Sequence, residues 1–165
     1  MKVIITGASG MVGEGVLHEA LHHPKVQEVL SVGRKTTGLS HPKLKELVIP
    51  DFLHPEEALV HVKHYDACFF CLGVSSVGMD KSTYETLTYT LTMRFARCLL
   101  PNNPNLTFCY VSGGGTDSSE KGRLHWARVK GKTENELLGL GFKQAFAMRP
   151  GFLRPTPGLK NALTF

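Results

Sequence analysis

The chain has 165 residues, 42% of them apolar and 20% charged, with a formal net charge of +5. That length supports one hydrophobic core and is short for two domains, so a single domain is expected. The lysines and arginines are scattered, with no basic run interleaved with aromatics, which argues against nucleic acid. The opening apolar run is too short for a signal sequence or a membrane span, so a cytosolic protein with no membrane partner is expected.

The first element is a β-type run, Lys2 to Thr6, which breaks into Gly7, Gly10 and Gly13 as a helical pattern begins. That helix, Met11 to His22, carries Val12, Val16, Leu17, Ala20 and Leu21 at helical spacing. Strand, glycine turn and helix in this order predict a dinucleotide site. Gly7 permits the tight turn, Gly10 lets backbone approach a pyrophosphate, and Gly13 lets the helix pack closely on the strand. Ser9 and Met11, between the glycines, then face the cofactor's phosphates at the helix N-terminus.

A second strand, Glu28 to Val32, runs into Gly33-Arg34-Lys35, where an acid for a ribose 2′-hydroxyl is missing. Arg34 and Lys35 instead suit a 2′-phosphate, so NADP(H) is preferred and NAD(H) is the lesser candidate. The alternative is that both cations simply end a strand at the surface. A third strand, Glu46 to Ile49, leads to Asp51-Phe52, placed for the adenine edge, although Asp51 equally suits a loop role before the helix Glu56 to Lys63.

The fourth strand, Ala67 to Leu72, carries Cys68 and Cys71, and is followed by Gly73, where backbone can pass close to a cofactor. Cys71, Leu72 and Gly73 are taken as cofactor contacts. On a strand, positions three apart face opposite ways, and no second pair accompanies this one at zinc spacing, so buried thiols are expected at Cys68, Cys71, Cys98 and Cys109 rather than a metal site. The eight histidines show no convergent ligand set either.

A long helix, Thr83 to Leu100, has Leu87, Leu91, Phe95 and Leu99 on one stripe, fit for core packing or for a homodimer. A fifth strand, Leu106 to Val111, a helix, His125 to Leu140, and a sixth strand, Gln144 to Met148, complete the alternation. Such alternation predicts an α/β fold, a Rossmann-type doubly wound parallel sheet covered on both faces, with its ligand at the strands' carboxyl ends.

Taken in order, Gly7, Gly10 and Gly13, Gly33-Arg34, Asp51-Phe52, Cys71-Leu72-Gly73, Ser112 and Arg149-Pro150-Gly151 make the chain resemble the short-chain dehydrogenase/reductase superfamily. The resemblance is to its atypical NAD(P)-dependent epimerase/dehydratase-like branch. It covers essentially the whole chain. Members of that branch continue into a C-terminal segment that shapes the substrate pocket, so the resemblance implies a truncated form, with exposed apolar surface near Phe152 and Phe165.

The resemblance also implies chemistry: a tyrosine exchanges a proton with substrate, a lysine four residues on holds the nicotinamide ribose, and a serine polarises the substrate oxygen. Here Lys130 stands in the lysine's place, Ser112 in the serine's, and Trp126 where the tyrosine belongs. An indole N–H cannot shuttle a proton near neutral pH. A serine pair often follows the fifth strand in related proteins, and this chain has Ser112-Gly113. His125 is a lesser candidate for the acid. Two functions follow: an oxidoreductase or epimerase acting on a small carbonyl or alcohol of unassigned identity, or an inactive NADP(H)-binding regulatory or scaffold protein.

Overall fold

The computed structural model describes residues 1 to 161, so Phe165 lies outside the described residues. Six strands, β1 (Lys2–Thr6), β2 (Glu28–Gly33), β3 (Leu44–Val48), β4 (Ala67–Phe70), β5 (Thr107–Val111) and β6 (Gln144–Met148), form one sheet in the order β3-β2-β1-β4-β5-β6. Every neighbouring pair is parallel. This is the expected doubly wound arrangement, and the strand order reverses between β1 and β4.

Side-chain alternation along β1 divides the core. Val3 and Ile5 pack with Leu17, Ala20 and Leu21 of α1 (Met11–His22), whereas Ile4 joins the cluster on the opposite face. That opposite cluster is aromatic: Phe70 lies 5.3 Å from Phe95 and 5.8 Å from Phe108 between ring centroids. Over it lie α2 (Glu56–Leu59), α3 (Lys81–Glu85), α4 (Leu91–Leu99) and α5 (His125–Leu138).

The expected long helix is a continuous helical run over 81–102 that changes winding twice, through a π segment (Thr86–Thr90) and a closing 3₁₀ turn (Leu100–Asn102). Asp80 starts it, its carboxylate accepting from the Thr83 N–H at 2.9 Å. Of its apolar stripe, Phe95 and Leu99 are fully buried in the core, and Leu87 and Leu91 are half-buried.

Several boundaries move. The expected helix from Glu56 to Lys63 is a single turn ending at Leu59; the Val62 N–H then donates to the Leu59 carbonyl at 3.0 Å in a tighter turn, and the chain passes His64 at a φ of +63° before β4. β3 begins at Leu44, which pairs with Val29 at the sheet edge. β4 stops at Phe70, where the Cys71 N–H turns to the Thr6 hydroxyl at 3.1 Å.

The expectation of two covered faces holds only in part. On the second face α1 packs on β1, β2 and β4, and Phe146 and Met148 of β6 stay 48% and 56% exposed. Phe152, just beyond β6, is 86% exposed.

Candidate active site

The turn from β1 to α1 is assembled by close backbone approach. A Cβ on Gly13 would overlap the Gly7 carbonyl, and one on Gly7, whose φ is +70°, would come 2.8 Å from the Cys71 oxygen. Neither position admits another residue without movement. Gly10 caps α1 in extended conformation with no side-chain oxygen, so the first-turn N–H groups are left for an anion. A Cβ at Gly10 would meet only the Gly7 oxygen, at 3.5 Å, so open space lies over the helix start. Ser9 is exposed and Met11 half-buried at its rim. This cradle fits a pyrophosphate.

Arg34 and Lys35 emerge from β2 exposed, and neither is ion-paired among the described residues. At the end of β3, the Asp51 carboxylate accepts from the Leu53 N–H at 2.8 Å, the loop role weighed for it, with its other oxygen 4.0 Å from His54. Phe52 departs from expectation. Its ring is 4% exposed and stacks 5.9 Å from Phe95, so the side chain belongs to the core and not to an adenine edge. Leu72 is half-buried against that same core, while Gly73 is exposed with nothing near its Cβ position.

All four thiols are free. Burial pushes the Cys68 thiol well up and that of Cys71 up to about 12, so neither is a reactive thiolate near neutral pH. Among the described residues no three ligand-type side chains converge on a metal site.

Beyond β5 the chain turns through three glycines and returns to α5. Ser112 is buried, and its hydroxyl lies 3.0 Å from that of Thr116, which donates to the Gly113 carbonyl at 2.8 Å. Thr116 spends its proton on Gly113, so the Ser112 hydroxyl can turn its own proton either to Thr116 or to a substrate oxygen. The returning loop reaches α5 because Gly131 has no side chain: a Cβ there would overlap the Asp117 carbonyl. The Asp117 N–H donates to Ala127 oxygen at 3.1 Å, fastening loop to helix.

Alternation puts Tyr110 and Ser112 on one side of β5, facing α5. There the Lys130 Nζ sits 5.7 Å from the Tyr110 ring centroid. Burial lowers the Lys130 ammonium from its usual range, and the Glu134 carboxylate one turn on opposes that shift. No hydrogen bond or ion pair engages Nζ among the described residues, whereas Lys132 on the same helix pairs with Glu85 at 3.2 Å. Burial also raises the Tyr84 and Tyr110 phenols, making both poorer acids.

Trp126 stands one helical turn before Lys130, and its indole edge lies about 3.3 Å from where a Gly115 Cβ would be. It is a half-buried wall under the triple-glycine turn. His125 points elsewhere, edge-on to Tyr84 with centroids 6.2 Å apart.

The structure therefore brings Ser112 and Lys130 to one side of the sheet's carboxyl edge, with the glycine turn, Arg34 and Cys71 to Gly73 along that edge. It adds Thr116, Tyr110, Glu134 and Arg149, which sequence reasoning did not assign to the site. Tyr110 was within reach, since two residues along a strand share a face; Thr116 was not, because three glycines hide the loop's course. A separate cavity of about 480 Å³, lined by Val16, Phe69 and Leu153, lies on the α1 side of the sheet, opposite Lys130.

No family model matches the chain. Among curated proteins it is 26% identical over 161 residues to "Protein fmp52-1, mitochondrial" of Aspergillus terreus, covering 94% of this chain and 68% of that one. It is 23% identical to "Protein FMP52, mitochondrial" of Candida albicans, covering 99% and 73%. Across such relatives the chain spans about two thirds of their length, as in the 64% of the Aspergillus oryzae protein. Their mitochondrial names overturn the cytosolic expectation, which rested on a short opening apolar run.

Among solved structures, a short-chain dehydrogenase from Burkholderia cenocepacia in complex with NADP superposes with a TM-score of 0.74 at 18% identity, covering 93% of this chain and 73% of that one. A UDP-glucuronic acid 4-epimerase from Bacillus cereus in complex with NAD gives 0.66 at 15%, covering 92% and 57%. The fold is that of the short-chain dehydrogenases and NAD(P)-dependent epimerases.

Proposed function

We propose that the chain is an NADP(H)-dependent oxidoreductase of the epimerase/dehydratase-like type, acting on a small carbonyl or alcohol with Trp126 in place of the usual tyrosine. The observation that carries this reading is the unpaired Lys130 ammonium over Tyr110, two positions before Ser112 on β5's path, at the sheet edge that also holds the uncapped glycine turn. In this reading Gly7 to Gly13 and the α1 N-terminus hold the pyrophosphate, and Arg34 and Lys35 meet the 2′-phosphate. Cys71 to Gly73 border the ribose, Lys130 holds the nicotinamide ribose, and Ser112 polarises the substrate oxygen. The nicotinamide, when bound, supplies or accepts the hydride. Solved relatives of this fold bind NADP or NAD, which supports the cofactor class.

A second reading is an inactive binder that reports cofactor occupancy to a partner protein. Trp126 favours it, since its indole fills the acid's place and packs as a wall. Calorimetric titration with NADPH and NADH side by side tests the shared premise: tight NADPH and weak NADH support the site as assigned, and no binding of either removes both readings. NADPH oxidation across a panel of small aldehydes and ketones then separates enzyme from binder.

A further inference from the structure

We propose that the Lys130 ammonium is itself the proton donor to the substrate oxygen, filling the role that Trp126 leaves vacant. The inference rests on the oxidoreductase reading and deepens it.

Lys130 extends from α5 over the face of Tyr110, one turn from Trp126 and on the same side of β5 as Ser112. Its nearest carboxylate, Glu134, is forked onto Arg149, so its charge is neutralised by another cation rather than by Lys130. From α3, Tyr84 contributes a neutral phenol, and His125 is turned onto that ring. Lys130 is thus a half-buried cation with an aromatic face below it and no partner among the described residues. Its lowered affinity for a proton follows from that placement. Tyr84 and Tyr110 move the other way, and an indole has no proton to give, which leaves the ammonium over Tyr110 as a better acid than either phenol or the indole.

In the reducing direction the carbonyl π bond breaks, and the carbon gains a hydride from the reduced nicotinamide. The oxygen gains a proton from Lys130 Nζ, and solvent then reprotonates the neutral amine. Oxidation runs in reverse and requires the neutral amine as base. Reduction therefore falls as pH rises through the Lys130 pKa, and oxidation rises over the same interval.

Lys130→Arg separates this role from ribose anchoring, because a guanidinium keeps the charge and donors and never releases its proton. The expected result is that K130R retains NADPH affinity by calorimetry while turnover falls on the order of 100-fold or more and the alkaline limb of the pH profile disappears. Without cofactor, ¹³C NMR of ε-labelled lysines should show one resonance, absent in K130R, titrating below the others. Lys132→Arg serves as the control that keeps turnover. Near-normal turnover in K130R, parallel loss of affinity and turnover, or a Lys130 resonance titrating with the exposed lysines each overturns the donor role alone. An unaltered protein that binds NADPH and reduces nothing on the panel overturns the oxidoreductase reading, and the donor with it.

Discussion

The carboxylate of Glu134, only 2% exposed, is forked onto the guanidinium of Arg149, whose Nε donates to its two oxygens at 3.0 and 3.1 Å. Arg149 Nη2 also donates to Glu134 and to the Ser118 hydroxyl, so one side chain ties the middle of α5 and the loop after β5 to the chain leaving β6. Arg149→Met leaves a buried carboxylate without its cation. We expect a loss of about 3 kcal/mol in urea unfolding. Glu134→Gln, which keeps a hydrogen-bond acceptor, should cost less.

Gly13 and Gly15 lie two residues apart on α1 and should respond oppositely to alanine. At Gly13 the new methyl meets the Gly7 carbonyl, so G13A should lose about 1–3 kcal/mol of stability and its NADPH binding together. At Gly15 nothing lies within 4 Å, and G15A should gain about 0.5–1 kcal/mol through helix propensity. Denaturant unfolding of the two proteins decides both.

Arg34→Ala removes the planar donor proposed for the 2′-phosphate. NADPH affinity should fall on the order of 10-fold to 100-fold while NADH affinity holds, as read by paired calorimetric titrations. Equal losses for both cofactors would reassign Arg34 to a general role.

Trp126→Tyr restores a phenol one turn before Lys130. If the rest of the site is competent, NADPH-dependent carbonyl reduction should rise, up to on the order of 100-fold for a newly placed acid. Unchanged null activity would favour the binding protein.

Glu28 predicts an acid-sensitive edge of the fold. Its carboxylate takes Lys45 Nζ at 2.6 Å and the Tyr65 hydroxyl at 2.8 Å, and Lys2 stands 3.6 Å away. Lys45 first, then Tyr65 and Lys2, hold it below the ordinary carboxylate range against the opposing effect of burial. A depressed carboxylate contributes stability above its unfolded pKa and loses it as pH falls through the folded value. Unfolding free energy should therefore drop in that acidic interval, and E28Q should flatten the drop.

Much of the fold is legible because local signals agree: Lys2 to Thr6 alternates toward two cores, the glycines follow at once, and α1 has the expected ends. The early end of α2 at Leu59 was hidden, since nothing in the composition of Glu56 to Lys63 marks it. Phe52 shows a different limit. Its neighbour Asp51 marks a loop, yet the ring turns inward to Phe95 on an element more than forty residues away, and nothing local announces that partner. Lys130 and Ser112 were legible as positions. Their surroundings were not, since Thr116, Tyr110 and the Glu134–Arg149 fork depend on how a loop and three elements meet.

The π segment at Thr86–Thr90 has a consequence for how this site can change. A wide turn accommodates one more residue than an α-helix would, so everything before it is rotated relative to everything after. Tyr84 lies on the early side, against His125; Phe95 and Leu99 lie on the late side, in the core. Deleting one residue from the segment would restore regular winding and swing the early turn by about 100°, carrying Tyr84 off α5 while the core stripe stayed in place. The placement of Tyr84 against α5 is therefore set by a count of residues, and a single codon lost or gained would change it with every contact side chain left unmutated.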